Sequence, residues 1–194
     1  MTAARELFLL QGYSATAVDA IAAHAFVSKQ TLYNHFGSKD RLFSEMVDEF
    51  IAGALPASLE AESASTVSRS LEIVAETLAD LLMRPETVSL YRLALIESDR
   101  HPELGQLLVE RAESPMLNAV MKALVREGVR DQKAGRALAT GLIGGIKELV
   151  LWPRLLNPRQ NVPSAVETAR AVLSYIGALS TALENGYARK LNQG

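Results

Sequence analysis

Apolar residues recur every three or four positions along most of the chain, which is the periodicity of amphipathic α-helices. In the first helix Ala4, Leu7 and Phe8 share one face, and Gly12 follows as a stop signal. Further helices are expected near residues 17–23, 29–35, 38–53, 67–83, 86–99, 103–126, 131–152 and 164–184. No stretch shows the alternation of a half-buried β-strand, so the sequence predicts an all-α fold.

Small polar residues stand where several of these helices begin. Thr16 and Asp19 are three residues apart before an apolar run, which is a variant of the capping box. Ser28 and Ser38 directly precede helices three and four and are expected to cap them. The numbering starts inside the first helix with no cap before it, so we expect a few native residues upstream.

The composition changes near residue 55, which indicates two parts. Seven of the eleven aromatic residues lie in residues 1–50, whereas none of the seven prolines does. We therefore predict a compact domain at residues 1–45 and a longer-helix bundle at residues 46–194, with helix four shared by both. Residues 57–66 are small and polar and are expected to form a loop. Pro102 and Pro115 are expected to mark a break or kink.

Helices two and three are joined by a turn of about four residues, which is the spacing of a helix-turn-helix. Leu32 and Phe36 lie one helical turn apart and are expected to pack inward. The outward face carries polar side chains at Lys29, Gln30, Tyr33 and Asn34. Such a face suits a DNA major groove, because a cation and a phenol can contact phosphate and amides can pair with adenine. A helix face that is merely solvated would show the same pattern.

The run from Ala4 to Phe43 contains many motif residues at fixed spacings. They are Leu7-Phe8, Gly12-Tyr13, Thr16, Ile21-Ala22, Val27-Ser28-Lys29, Thr31-Leu32-Tyr33, His35-Phe36, Ser38-Lys39 and Leu42. On these residues the run closely resembles the N-terminal DNA-binding domain of the tetracycline-repressor (TetR) family. The resemblance implies a three-helix domain that contains a helix-turn-helix and binds double-stranded DNA.

The resemblance also implies which residues contact DNA. Residues that contact DNA phosphate in the family match Thr16, Tyr33, His35 and Lys39 of this chain. The family residue that matches Thr16 also caps helix two. Residues at the start of the recognition helix that lie in the major groove match Ser28, Lys29, Gln30, Thr31 and Asn34. Phe26 departs from the pattern, because the family usually has glycine in this turn. A bulky side chain disfavours positive φ, so the turn is expected to differ slightly.

The segment Leu93–Leu108, LALIESDRHPELGQLL, is similar to the C-terminal domain of AefR-like members of the family. The resemblance implies a bundle that binds a small, often apolar effector and dimerises through its last two helices. The residues are compatible with this, since small and apolar positions recur at helical spacing. The predicted dimer-interface residues are Gly141, Gly145, Ala169, Val172, Leu173, Ile176 and Leu179. A core buried within one chain would produce the same stripe.

Candidate residues for an effector pocket are large or adaptable side chains and one acid. They are Tyr91, Glu97, Met116, Met121 and Trp152. Methionine or an aromatic residue at helical spacing is more often ordinary core, and Glu97 is equally compatible with a surface position. The sequence is compatible with both the pocket assignment and the core interpretation.

Motifs for catalysis and for metal binding are missing from the sequence. The three histidines, His24, His35 and His101, form no HExxH motif, and the chain has no cysteine. No nucleophile elbow, Walker motif or dinucleotide fingerprint occurs either. We therefore predict neither an enzyme nor a cofactor or metal site.

The formal net charge of −2 is at first an argument against a nucleic-acid partner. The placement of the charges weakens that argument, because Lys29, Lys39 and Arg41 face only Asp40 between residues 24 and 41. Helix N-termini and neutral donors also bind phosphate. No apolar run reaches the roughly 18 residues of a membrane span, and no signal pattern occurs. We expect a cytoplasmic protein without a membrane partner.

Two functions of different classes remain compatible with the sequence. The leading interpretation is a homodimeric transcriptional repressor that leaves a palindromic operator when a small effector binds. The alternative is a helical module that binds a small molecule or a protein partner and no longer reads DNA. A DNA titration separates the two.

Overall fold

The computed structural model describes residues 1–54 and 70–191, and these ranges are helical with no β-strand. The N-terminal helices are α1 (Thr2–Gln11), α2 (Val18–His24), α3 (Lys29–Phe36) and α4 (Lys39–Ala54). The later helices are α5 (Ser70–Met83), α6 (Pro85–Glu97), α7 (Pro102–Leu108), α8 (Ser114–Arg126), α9 (Gln132–Ile146), α10 (Trp152–Leu156) and α11 (Ala165–Leu191). The all-α prediction is confirmed. The loop expected at residues 57–66 lies outside the described residues.

The described residues form two compact units that interleave along the chain. The first unit contains residues 1–54 and 84–115, and the second contains residues 70–83 and 116–191. The sequence placed a boundary between residues 45 and 46, with helix four shared by both domains. Over its described length α4 belongs to the first unit, which also contains α6 and α7.

Aromatic rings form the centre of the first unit. Phe8 and Tyr13 stack with ring centroids 5.5 Å apart, and Phe43 meets each of them edge-on at 5.3 Å. Leu32 and Phe36 are both buried, as the sequence predicted for the inner face of α3. Such aromatic pairs contribute about 0.5–1.5 kcal/mol beyond the area they bury, so this cluster holds the short helices in place.

The start of α2 differs from the sequence prediction. The capping box expected at Thr16 and Asp19 is not formed, because α2 begins at Val18 and no side chain caps it. Thr16 is only 1% exposed, and its hydroxyl donates to the carbonyls of Leu7 at 3.1 Å and Gly12 at 2.7 Å. Thr16 therefore satisfies acceptors at the end of α1 rather than donors at the start of α2.

The caps predicted for the next two helices are confirmed. The hydroxyl oxygen of Ser28 accepts the N–H of Thr31 at 3.0 Å, which satisfies a free donor in the first turn of α3. The hydroxyl oxygen of Ser38 accepts the N–H of Arg41 at 3.1 Å and does the same for α4. The starts of α3 and α4 are thus set by local sequence.

Two π-helical turns interrupt the long helices, Val109–Glu113 between α7 and α8 and Lys147–Leu151 between α9 and α10. Each turn comes just before a proline, Pro115 or Pro153. Proline lacks an N–H and clashes with the carbonyl four residues earlier, and the wider π-turn accommodates it. Of the break or kink expected at each proline, a break is present at Pro102, whereas the helix continues through Pro115 after a π-helical turn and is not broken there.

Candidate DNA-binding site

The predicted DNA-contacting residues of α3 are solvent-exposed. The exposed set is Ser28, Lys29, Gln30, Thr31, Tyr33, Asn34 and His35. Tyr33 keeps 41% of its surface accessible, although phenol rings are commonly half-buried or more. The inner face of the helix is apolar and buried, so α3 presents a polar face at the surface of the first unit.

Two contacts order the long side chains on this face. The amide nitrogen of Gln30 donates to the amide oxygen of Asn34 at 2.7 Å, one helical turn away. The ammonium of Lys29 lies 2.9 Å from the carboxylate of Asp19 on α2, and this hydrogen bond raises the pKa of Lys29. Because the ion pair is exposed, it is weak, and a DNA phosphate can compete for the lysine.

Lys39 lies at the start of α4 and is partly buried. Its ammonium is 4.4 Å from the centroid of the Tyr13 ring, which is a cation–π contact. Burial lowers the pKa of Lys39, and the nearby carboxylates Glu97 and Asp40 act in the opposite direction. The hydroxyl of Tyr13 donates to Asp40, and burial together with this bond raises the pKa of Tyr13. The charge of Lys39 is thus held at a fixed place by the ring beneath it.

Thr16 is the member of the predicted set that lies in the interior. Its hydroxyl donates to backbone carbonyls of the same unit, as described above. The hydroxyl hydrogen of Thr16 is therefore used within the chain. The oxygen can still accept a hydrogen bond, but a phosphate oxygen has no hydrogen to donate to it. A phosphate contact through this side chain stays a prediction.

The turn between α2 and α3 contains a non-glycine residue in the left-handed region. Phe26 has φ 56°, and it is 94% exposed. The N–H of Phe26 donates to the carbonyl of Ala23 at 3.2 Å, and the N–H of Val27 donates to that of Ala22 at 3.0 Å. This pair of bonds is the Schellman motif, whose left-handed position is usually glycine. The expectation that Phe26 would alter the turn is therefore wrong, because the residue adopts the left-handed conformation instead.

Glu97, a candidate pocket residue, lies at the end of α6 in the first unit and is 6% exposed. Its carboxylate accepts the backbone N–H of Ser14 at 2.9 Å and also accepts the Ser14 hydroxyl. The hydroxyl contact is the main cause that lowers the pKa of Glu97. A Cβ at Gly12, where φ is +91°, would come within 3.2 Å of the same carboxylate. Glu97 thus holds the turn between α1 and α2.

The other four candidate pocket residues are divided between the two units. Tyr91 belongs to the first unit, is 8% exposed and donates its hydroxyl to Glu113; burial raises the pKa of Tyr91. In the second unit Met116 is fully buried, Met121 is half-buried and Trp152 is 45% exposed. Their role in binding an effector stays a prediction.

The second unit contains an open apolar groove of about 860 Å³ between α9 and α11. Five predicted dimer-interface residues line it, namely Gly141, Gly145, Val172, Ile176 and Leu179. Two others do not line it, since Ala169 is buried and Leu173 half-buried elsewhere on α11. A Cβ at Gly145 would lie 3.0 Å from Val172, so this glycine permits close packing of α9 and α11 within one chain. A Cβ at Gly141 would meet no described atom within 4 Å.

Metal-ligand clusters and membrane-spanning helices are both absent from the part of the chain that the structure describes. Within residues 1–54 and 70–191, no three acidic or histidine side chains are grouped as metal ligands would be. None of the helices in these ranges is both long enough and apolar enough to cross a membrane.

Comparison with known proteins gives relatives for both parts of the chain. A curated relative, the HTH-type transcriptional activator FasR of Mycolicibacterium smegmatis, is 29% identical over 146 residues, which cover 74% of this chain. The matched region spans 65% of that relative's length. A solved TetR-family regulator from Mesorhizobium loti is 26% identical, with a TM-score of 0.70 and 93% of both chains covered. The flavonoid-responsive regulator FrrA is 27% identical, with a TM-score of 0.69 and coverage of 90% of this chain and 91% of FrrA.

Two family models match the sequence itself. Residues 1–46 match the tetR family of bacterial regulatory proteins, and this range contains α1 to α3 with the polar face described above. Residues 69–182 match the C-terminal domain of AefR-like transcriptional repressors, which is more than half of the chain. The resemblance that the sequence motifs indicated is therefore confirmed in both parts. The chain belongs to the tetR family of bacterial regulatory proteins and carries an AefR-like C-terminal domain.

Proposed function

We propose that this chain is a cytoplasmic, homodimeric transcription regulator that represses by binding a palindromic operator and leaves it when a small effector binds. The observation that carries the proposal is the exposed polar face of α3, which Ser28 caps within a helix-turn-helix. In such motifs the N-terminal residues of the second helix contact base edges in the major groove. Ser28, Lys29, Gln30 and Thr31 occupy that end of α3.

The side chains divide into base-reading and phosphate-binding groups. Gln30 and Asn34 carry amides, which can form two hydrogen bonds with an adenine edge. The bond between these two amides fixes their relative orientation before DNA is present. Tyr33 and Lys39 flank them and supply a phenol and a cation for the backbone. Each recognition helix of a dimer would thus read one half-site.

The experiment is a titration of the purified protein on DNA from its own upstream region at several salt concentrations. We expect salt-sensitive binding that is stronger than binding to scrambled DNA. Lys39→Ala should weaken binding to every sequence and reduce the salt slope by about one, because one phosphate contact is lost. Absence of binding by the wild-type chain would contradict the proposal and favour the module that no longer reads DNA.

Gln30 gives a second, independent test of DNA reading. Gln30→Ala should change which operator variants are preferred, since a lost base contact costs about 1–3 kcal/mol at one position only. The measurement is a competition assay over single-base operator variants, with Lys39→Ala as the control that weakens all variants equally. Uniform weakening by Gln30→Ala would contradict its base-reading role.

Release by an effector requires a physical link between the effector-binding domain and the DNA-binding helices α2 and α3. Glu97 at the end of α6 supplies the part of that link that lies within the first unit, since its carboxylate holds Ser14 in the turn that leads into α2. A ligand that favours one position of α6 or α4 over another would then change the spacing of the two recognition helices. This is a two-state proposal, and it requires that the ligand bind the two arrangements with different affinity. The solved relative FrrA is described as flavonoid-responsive, which supports a small-molecule effector.

Repression is the direction of control that the AefR-like C-terminal domain supports, although the curated relative FasR is named an activator. A reporter gene placed behind the upstream region distinguishes the two directions. Deletion of this chain should raise reporter expression if it represses. A fall in expression would instead support activation and contradict the repressor part of the proposal.

A further inference from the structure

Phe26 combines a strained backbone with a side chain that gains nothing from burial. Its φ of 56° lies in the region that L-residues with bulky side chains disfavour, and the ring is 94% exposed. A glycine or asparagine at this Schellman position would avoid the strain. Strained residues persist at sites where they serve function, so the outlier calls for a partner outside the chain.

The position of Phe26 identifies that partner as DNA. Phe26 is followed by Val27, which is 41% exposed, and then by Ser28, the cap of α3. Phe26 therefore stands two residues before the N-terminal cap of the helix whose exposed residues include Lys29 and Gln30, which are proposed to lie in the major groove.

We propose that Phe26 is a DNA-contacting residue whose ring packs against a thymine C5-methyl group in the major groove. This inference rests on the proposed function. The thymine methyl is the apolar group that base pairs present in the major groove, and aromatic side chains are among those that contact it. An apolar contact releases no counterion, so it adds affinity that does not depend on salt. Such a contact suits a chain with a net charge of −2.

The first experiment compares Phe26→Asn and Phe26→Gly with Phe26→Leu in the full chain. Asparagine and glycine accept the left-handed conformation, so both variants should melt at a higher temperature than the wild type. Both should bind the operator roughly fivefold more weakly, with an unchanged salt slope, because the lost contact is apolar. Phe26→Leu keeps an apolar side chain and should keep most of the affinity. Lys39→Ala is the control that changes the slope.

The opposite directions of stability and affinity separate this contact from a structural role. If Phe26 matters only for the turn, Phe26→Asn raises the melting temperature and leaves operator affinity unchanged, and the inference is overturned. If the wild type and Phe26→Asn bind the operator with equal affinity, the Phe26 contact is therefore contradicted while the proposed function stands. Absence of binding by the wild type removes both.

The second experiment locates the contact on the DNA. Thymines of the operator are replaced one at a time by uracil, which removes only the C5-methyl group. We expect a symmetric pair of positions, one in each half-site, where uracil weakens wild-type binding but has no effect on Phe26→Asn. Such non-additivity is the signature of two groups that touch each other. If the loss caused by Phe26→Asn is the same on an operator with uracil at every thymine, the methyl contact is overturned.

Discussion

At the scale of single residues, hydrogen bonds from buried or half-buried groups hold the segment that leads from α1 to α2. Thr16 donates to carbonyls near the end of α1, and Glu97 accepts both the N–H and the hydroxyl of Ser14. A buried carboxylate that loses such partners is costly, since hydrogen bonds to charged groups contribute about 1.5–3 kcal/mol. These two side chains therefore fix where α2 starts, and α2 in turn sets the position of α3.

Glu97 should make the stability of the protein depend on acid pH. Its pKa is lowered, chiefly by the Ser14 hydroxyl, so the folded state favours the carboxylate more than the unfolded state does. The resulting stabilisation is present above the unfolded pKa of about 4.5 and is lost as the pH falls through the lower folded value. In urea titrations between pH 6 and pH 3, the difference in unfolding free energy between wild type and Glu97→Gln should therefore shrink.

Ser14→Ala is the matched variant for this test. It removes the hydroxyl that is the main cause of the lowered pKa and keeps the backbone N–H bond. We expect Ser14→Ala to reduce the acid dependence by a similar route while the carboxylate is still present. A difference between wild type and Glu97→Gln that stays constant across this pH range would contradict the prediction.

The contact between Glu97 and Ser14 also shows where sequence reasoning stops at this scale. The two residues are 83 positions apart, and nothing in either local pattern indicates that they meet. The sequence offered Glu97 only as a pocket residue or a surface acid. By contrast, the cap at Ser28 depends on residues three positions apart, and the sequence predicted it correctly. Local hydrogen bonds can be predicted from spacing, whereas tertiary ones require the fold.

At the scale of helices, side-chain caps define the start of several elements. Ser28 caps α3, and the carboxylate of Asp131 caps α9 by accepting the N–H of Ala134 at 2.6 Å. Both side chains are exposed, and they lie in different units. The pair therefore separates the effect of losing a cap from the effect of losing the recognition surface.

Removal of either cap should lower stability by a similar amount. Ser28→Ala and Asp131→Ala should each cost about 0.5–2 kcal/mol of unfolding free energy, because a backbone donor loses its partner. Only Ser28→Ala should also weaken operator binding, since α3 is the proposed recognition helix. The measurement is urea unfolding together with a DNA titration well below the melting temperature. Equal weakening of DNA binding by Asp131→Ala would contradict the assignment of α3 as the reading helix.

The helices were predictable from periodicity, but the behaviour at prolines was not. Every described helix longer than one turn and a half overlaps a helix expected from the sequence, because apolar spacing decides which face is buried. The effect of Pro115 could not be predicted from apolar spacing, because a proline either ends a helix or is accommodated within it. The π-turn Val109–Glu113 just before it shows the second outcome. The same holds for Pro153 after its own π-turn.

At the scale of the whole molecule, we propose that the groove between α9 and α11 is the surface that a second copy covers. It is almost wholly apolar in its lining residues, apart from Glu148 and the hydroxyl of Tyr175. Tyr175 and Leu179 on α11 are 68% and 47% exposed, although both carry large side chains. Contiguous exposed apolar surface of this kind marks an interaction site. Two-fold dimers use the same patch on both chains, which suits a regulator of a palindromic operator.

A charge introduced into this groove should dissociate the dimer without unfolding the chain. Tyr175→Asp would bury two carboxylates in a two-fold interface, one from each copy, and neither would have a cationic partner in the groove lining. Because Tyr175 is largely exposed in one chain, the fold of the monomer should be retained. Sedimentation should show a dimer for the wild type, and a dimer dissociation constant raised roughly 100-fold for Tyr175→Asp. The variant should also lose affinity for the palindrome, because two linked DNA-binding domains bind more tightly than one.

Ser174→Asp is the control, since Ser174 is exposed on the same helix and does not line the groove. A Tyr175→Asp variant that remains dimeric and binds the operator as the wild type does would show that this groove is not where the two copies meet.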